Sequence, residues 1–447
     1  MKTLLSSAAL FLSLTAQATN LAVVDSGTFF EHAWLQNKMW VNPNEIVANM
    51  VDDDNNGKVD DFNGWNFAEN LPTVFYPEHI SQFDEKIFQT FHMLAKIRSK
   101  NVTDADKTWW QKNVLDLPKP EKDALVAKLN FYGQYAHSTH CAGIIASGLP
   151  TAQQMSARIF PDTSLPSYMR GAEGPVYEIF ANLVNKQFID VAGYLNSNKM
   201  SVANYSIGVP MAQIAKNAMA LTGNKNPSAE KIAKEAKRAY RVFERYGRDW
   251  MALAPQTLFV IAAANDGHDN ADLPIFPANV QAPNAITVAA TDGYASLADF
   301  SNWDVNTVHV AAPGVNIVSA VPGPKANEVL PMSGTSMAAP FVTMVAASMK
   351  SANAALSPSD IRNLLMSTVD KKDWLATKVM SSGIVNKERA VRAATLAATM
   401  PLASAAQQAR NEVPDMPEVS STVESSEEGM GSEPTSEMLS FARKVVF

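Results

Sequence analysis

Six short apolar runs, separated by stretches of helical periodicity, constrain the fold of this chain more than any other feature. Leu21–Val24, Met155–Phe160, Ser201–Ile207, Thr257–Ala263, Ala285–Ala290 and Val308–Ala312 each read as a strand buried on both faces. Residues 176–197, 228–253, 336–350 and 359–369 carry helical patterns, and the last opens on Ser357-Pro358-Ser359-Asp360, a strong helix start. Strands alternating with helices predict an α/β fold, a mostly parallel sheet covered by helices on both faces in three layers. Chemistry in such sheets collects at the carboxyl ends of the strands. Asp25, which closes the first run in Asp25-Ser26-Gly27, would stand there.

The two ends of the chain differ in kind from this body. Residues 1–18 read as an export signal, with Lys2, an apolar run from Leu4 to Leu14 and the small-x-small site Ala16-Gln17-Ala18. That run is too short to span a bilayer, and so is Met337–Met349. An exported chain, periplasmic or extracellular, is therefore expected. From Asn411 to Met438 every charged residue is acidic, among Ser and Pro, which predicts a disordered tail over 398–447. The apolar residues Met438 to Phe447 read as a docking peptide or a sticky end. Most of the net charge of −7 belongs to the tail, and the near-neutral body offers no basic face for nucleic acid. One cysteine, Cys141, excludes a disulfide framework and a Cys-rich zinc module. Residues 68–130 read as a helical insertion with the packing stripe Phe83, Ile87, Phe88, Phe91, Leu94 and Ala95.

The sharpest signal is Ser333-Gly334-Thr335-Ser336-Met337-Ala338-Ala339-Pro340, a serine at the mouth of a small-residue helix, with Pro340 expected in its first turn. Free backbone N–H groups and the positive helix end suit a hydroxyl that must generate an oxyanion. Serine needs a base, and the base needs an orienting acid. His137, in His137-Ser138-Thr139-His140-Cys141-Ala142-Gly143, is expected at the start of a second such helix and faces the site; His140 reads as a packed core histidine. No histidine follows Ser336, so the order of α/β-hydrolases, serine then acid then histidine, fails. The order Asp25, His137, Ser336 remains.

The segments Ala22–Gly27, His137–Gly143 and Ser333–Pro340 resemble the Asp, His and Ser blocks of the subtilisin family of serine endopeptidases, over roughly residues 20–397. The resemblance implies a subtilisin-like peptidase domain over 19–397 and an acyl-enzyme mechanism on peptide or protein substrates. It implies that Asn265, in Phe259–Gly267, completes the oxyanion hole with the Ser336 N–H. It implies that Ser206, Ile207 and Gly208 pair with substrate backbone and, with Ala263 and Ala264, frame the primary pocket, which Ile275 would narrow. Cys141 resembles the cysteine packed under the histidine in the proteinase K-like branch. Ser138 and Ala264 stand where the family usually has glycine, and Phe341 where histidine is common. Thr19 and Asn20 alone separate the cleavage site from the first strand, leaving no room for an N-terminal pro-domain, so restraint is expected from the tail or the insertion. A silent peptide-binding relative and an esterase using the same residues are the alternatives.

Asp52-Asp53-Asp54-Asn55-Asn56-Gly57-Lys58-Val59-Asp60 places oxygen ligands at alternating positions with a turn glycine. It reads equally as a structural Ca²⁺ loop, through Asp52, Asp54, Asn56, the Lys58 carbonyl and Asp60, and as a solvated turn. No organic cofactor is implied.

Overall fold

A computed structural model of the chain describes residues 19–160, 173–221, 224–421, 434–442 and 445. The expected export signal at 1–18 and the acidic stretch 422–433 lie outside the described residues. At the centre is a sheet whose first strand, β1 (Asn20–Asp25), is flanked by β3 (Gln153–Arg158) and β4 (Val202–Tyr205). Beyond β3 lies β2 (Gly64–Asn66). Beyond β4 follow β6 (Leu258–Ala262), β8 (Ala285–Asp292), β10 (Val310–Pro313), β14 (Gly383–Ile384) and β13 (Asp370–Lys371). From β2 to β14 the neighbours are parallel; β13, and β9 (Ser296–Leu297) against β8, run antiparallel. Two small antiparallel pairs lie apart from it, β5 (Val209–Pro210) with β7 (Ile275–Phe276), and β11 (Ile317–Ala320) with β12 (Val329–Met332).

Strand β1 shows why both faces must be covered. Leu21 and Val23 pack into one hydrophobic cluster, Ala22 and Val24 into another, so the alternation of side chains feeds two cores. On one side lie α4 (Glu173–Ser197), α5 (Met211–Leu221) and α6 (Ala229–Ala252). On the other lie α3 (Lys119–Gly148), α7 (Thr335–Ala352), α8 (Pro358–Ser367) and α9 (Lys387–Leu396). This is the three-layer α/β arrangement, with every expected strand end within two residues of the observed one. The Ser357–Asp360 start is a capping box: each side chain accepts the other residue's backbone N–H.

The stretch 68–130 is helical, with α1 (Glu85–Arg98), α2 (Asp104–Trp110) and the first part of α3, which crosses residue 130. Helix α3 begins at Lys119, behind Pro118 and with Pro120 in its first turn, and runs unbroken through the histidine block. His137 therefore sits past the midpoint of a 30-residue helix, not at the start of a short one. The sequence signal was masked because residues 119–131 are charged and amphipathic whereas 136–146 are buried all round.

The tail is ordered over most of its described length. Helix α10 (Leu402–Glu412) packs on α9, residues 413–421 lie against the body, and α11 (Ser436–Ala442) packs on α1. The buried Arg389 guanidinium holds the middle stretch: it donates to the Val413 carbonyl at 2.8 and 3.0 Å and pairs with Asp370 at 2.9 Å and Asp415 at 2.6 Å. Farther on, Tyr294 N–H donates to the Val419 carbonyl and Ser421 N–H to Asp292.

Candidate active site

The carboxyl ends of the parallel strands deliver the candidate groups to one edge of the sheet. Asp25 is the last residue of β1, Ser206 follows β4 and Asn265 follows β6. Gly27 turns the chain away behind Asp25 at φ +103°, and a side chain there would collide with the Val74 carbonyl. Two hydroxyls on α3 fix this turn against the histidine helix. Ser138 Oγ shares a 2.9 Å hydrogen bond with Thr28 Oγ1, and Thr139 Oγ1 accepts from Phe29 N–H at 3.0 Å. Ser138, a departure from glycine, thus gains a partner that glycine would not supply.

His137 Nδ1 lies 2.9 Å from both carboxylate oxygens of Asp25. Burial alone would push the imidazole pKa down; the charge of Asp25, with its hydrogen bond, outweighs burial and raises it above the usual value. His137 Nε2 is buried without a hydrogen-bond partner. A neutral imidazole with its proton held on Nδ1 presents a lone pair there. His140 is a core residue: it bonds the Leu330 carbonyl at 3.0 Å, and burial lowers its pKa to about 3.

Ser336 is the second residue of α7. Pro340 lies in the second turn of that helix rather than the first, so it removes the N–H that the Ser336 carbonyl would otherwise accept. Two side chains replace that donor, Ser206 Oγ at 2.9 Å and Cys141 Sγ at 3.3 Å. Cys141 is one helical turn beyond His137, so this contact brings the His137 and Ser336 segments side by side. Burial raises the Cys141 pKa far above its usual range, with Asp25 adding to it, so the thiol stays protonated as a donor. The Ser336 hydroxyl itself donates to the Ser206 carbonyl at 3.1 Å. His137 and Ser336 are each 6% exposed.

Asn265 is oriented by a residue that the sequence reading passed over. Its Oδ1 accepts from Thr335 N–H at 2.8 Å and Thr335 Oγ1 at 2.9 Å, while Thr335 Oγ1 accepts from Ala264 N–H at 3.1 Å. The amide oxygen is thereby committed and Nδ2 is turned toward Gly334, where an added Cβ would stand 3.2 Å from it. Ala264 holds φ +90°, a conformation strained for any residue with a side chain. That strain explains why glycine suits this position. Among the pocket residues, Gly208 packs against Ile275, whose Cγ2 would be 2.8 Å from a Cβ there; Ile207 and Ala263 are buried and Ala264 half-buried.

The acidic loop divides differently from its sequence spacing. Asp52 and Asp54 converge with Glu45, which was not anticipated, their oxygens within 4.8 Å of one another. Asn56 Oδ1 and Glu45 Oε2 are buried without partners. Asp60 does not join them; its carboxylate accepts from Asn49 and Met50 N–H, both at 3.1 Å. The Lys58 side chain leaves the loop to lie over the rings of Trp65, Phe67 and Tyr194. Burial raises the pKa of Glu45 and of Asp61, and neighbouring carboxylates add to both shifts.

Comparison with known proteins finds relatives of the chain. The model of the Subtilase family matches residues 16–388. Alkaline elastase YaB of Bacillus sp. (strain YaB) is 39% identical over 141 residues, 32% of this chain and 34% of that protein. Subtilisin BL of Lederbergia lenta is 36% identical over 133 residues, 30% of this chain and 46% of it. The matched stretch spans less than half the length of either relative. The solved A-subunit of the AB5 toxin from E. coli is 20% identical, with a TM-score of 0.46 over 85% of this chain and 93% of that one.

Proposed function

We propose, for a chain that belongs to the subtilase family, that it is an exported serine endopeptidase acting through Asp25, His137 and Ser336. One observation carries the reading: the Asp25 carboxylate occupies His137 Nδ1 and leaves Nε2 buried and unpartnered, on the helix whose Cys141 reaches the Ser336 carbonyl. The Ser336 hydroxyl leaves the Ser206 carbonyl, gives its proton to His137 Nε2 and attacks the substrate carbonyl carbon. Asp25 stabilises the imidazolium, and the oxyanion is received by Asn265 Nδ2 and the Ser336 N–H. His137 returns the proton to the leaving amine, and water then releases the acyl group. Residues 206–208 would add the peptide as a strand, and Ile275 against Gly208 would disfavour large aromatic side chains in the primary pocket. Export is supported by residues 1–18 and by a relative, 36% identical over 144 residues (30% of this chain and 23% of that protein), whose name is Extracellular basic protease of Dichelobacter nodosus. No described helix is long and apolar enough to cross a membrane.

A catalytically silent, peptide-binding relative is the second reading, favoured by the hydroxyl bonded away from His137 and by the low exposure of both groups. Peptide hydrolysis that disappears in Ser336→Ala decides between them, and an ester-only turnover identifies an esterase.

A structural Ca²⁺ on Glu45, Asp52, Asp54 and Asn56 belongs to the same proposal. The support is that Glu45 Oε2 and Asn56 Oδ1 are buried without partners and that oxygens of Glu45, Asp52 and Asp54 lie within 4.8 Å of one another, which a hard cation would satisfy. Self-inhibition by the tail finds no hydrogen bond or ion pair to Asp25, His137 or Ser336 among the described residues; deletion of 398–447 tests it by a rise in activity.

A further inference from the structure

The apolar end of the tail is seated in the insertion rather than loose. Met438, Phe441, Ala442 and Val445 are 1%, 4%, 6% and 1% exposed, and all join the core cluster that contains Ile97, Trp110 and Val114. Phe441 meets Trp110 edge-on at 5.3 Å between centroids. The half-buried Arg98 guanidinium donates to the Val445 carbonyl at 2.9 Å and the Ala442 carbonyl at 3.5 Å. Beside the seat, an open cavity of about 610 Å³ is lined by Lys119, Lys122, Asp123 and Glu437, with Lys119 paired to Asp123 at 2.6 Å. The seat is coupled to the histidine helix by packing: Phe88 and Phe91 of α1 each meet Tyr132 of α3 at 5.3 Å, and Tyr132 precedes His137 on that helix.

We propose that α1 and α2 form a receptor groove for the end of the tail, helix α11 together with Val445, which acts as an activating latch. Met438 and Phe441, three apart on α11, and Val445 beyond it are its anchors, in the mode of an amphipathic helix laid in a groove. Arg98 reads backbone carbonyls at its end. Seating the segment fastens α1 and α2 against α3 and so steadies His137. Because its recognition groups are its own, the segment binds when supplied as a separate peptide.

The binding half stands without the peptidase reading; the activity half rests on it. A site-specific cleavage sequence placed within 422–433 lets the full chain fold before it is cut. A labelled synthetic peptide of residues 434–447 then exchanges into the seat. The latch predicts saturable binding, at least about tenfold weaker for a Phe441→Ala peptide. It also predicts slower hydrogen exchange in α1 and α3 up to Tyr132 on binding, and turnover that falls on removal and returns on re-addition. No binding, or equal binding by both peptides, overturns the groove; turnover that rises on removal overturns the activating sign. Binding with no turnover in any form leaves the groove standing and counts against the peptidase reading alone. Should the cut chain unfold, Arg98→Gln in the uncut chain serves instead: faster exchange in α1 and α3 is expected, and unchanged exchange overturns the proposal.

Discussion

Replacing Asp25 by Asn tests whether the carboxylate beneath His137 does electrostatic work. In the proposed mechanism His137 becomes cationic as Ser336 attacks, with carboxylate oxygens 2.9 Å from Nδ1. Opposite charges about 4 Å apart at an effective dielectric of ~20 interact by ~4 kcal/mol, equivalent to ~10³ in rate. An amide also lets the ring take the other tautomer, with the proton on Nε2, which extends the loss toward ~10⁴ in kcat. The side chains are nearly isosteric, so folding is retained. Substrate turnover and fluorophosphonate labelling rates should fall together. The pH profile sharpens the test, because without the carboxylate burial dominates and the His137 pKa drops below 6.5 instead of standing above it. A loss below about tenfold, or an acid limb that does not move down, would refute the assignment of Asp25.

In the unmodified chain kcat/KM should rise with pH through a pKa above 6.5, since the base must be neutral. The same raised folded-state pKa gives stability that is fully present below about 6.5 and is lost as pH rises through the folded value; denaturant titrations across pH should show it. Ala264→Gly should stabilise by ~1 kcal/mol through relief of its +90° φ, read as a higher Tm; a lower Tm would contradict the strain. Arg389→Met leaves the fully buried Asp370 without its cation and should cost about 3–5 kcal/mol in equilibrium unfolding. Ca²⁺ at a hundredfold excess over its Kd should stabilise by ~2.7 kcal/mol, and Glu45→Gln should weaken that response, which calorimetry with chelator and with added Ca²⁺ would check.

What was legible in the sequence was whatever local pattern decides alone. β1 with Asp25 at its end follows from four apolar residues and an acid–glycine turn, and the Ser336 helix from its run of small residues. What was not legible depended on contacts distant in sequence. The true start of α3 was hidden by its change from amphipathic to wholly buried at mid-length. Pro340 looked harmless because first-turn prolines are; its place in the second turn matters only with Ser206 and Cys141, far away in sequence, beside the freed carbonyl. Glu45 lies outside the acidic run and reaches it by the folding back of the loop. The tail reads as unfolded from composition, yet Arg389 and Arg98, each a single basic residue with no local signal, hold two parts of it.

The central claim, an activated Ser336, is tested most directly by intact-mass spectrometry after exposure to a fluorophosphonate, beside a Ser336→Ala control. The account predicts one adduct on the chain and none on the control. No adduct on the full chain would contradict it and leave the peptide-binding reading in its place.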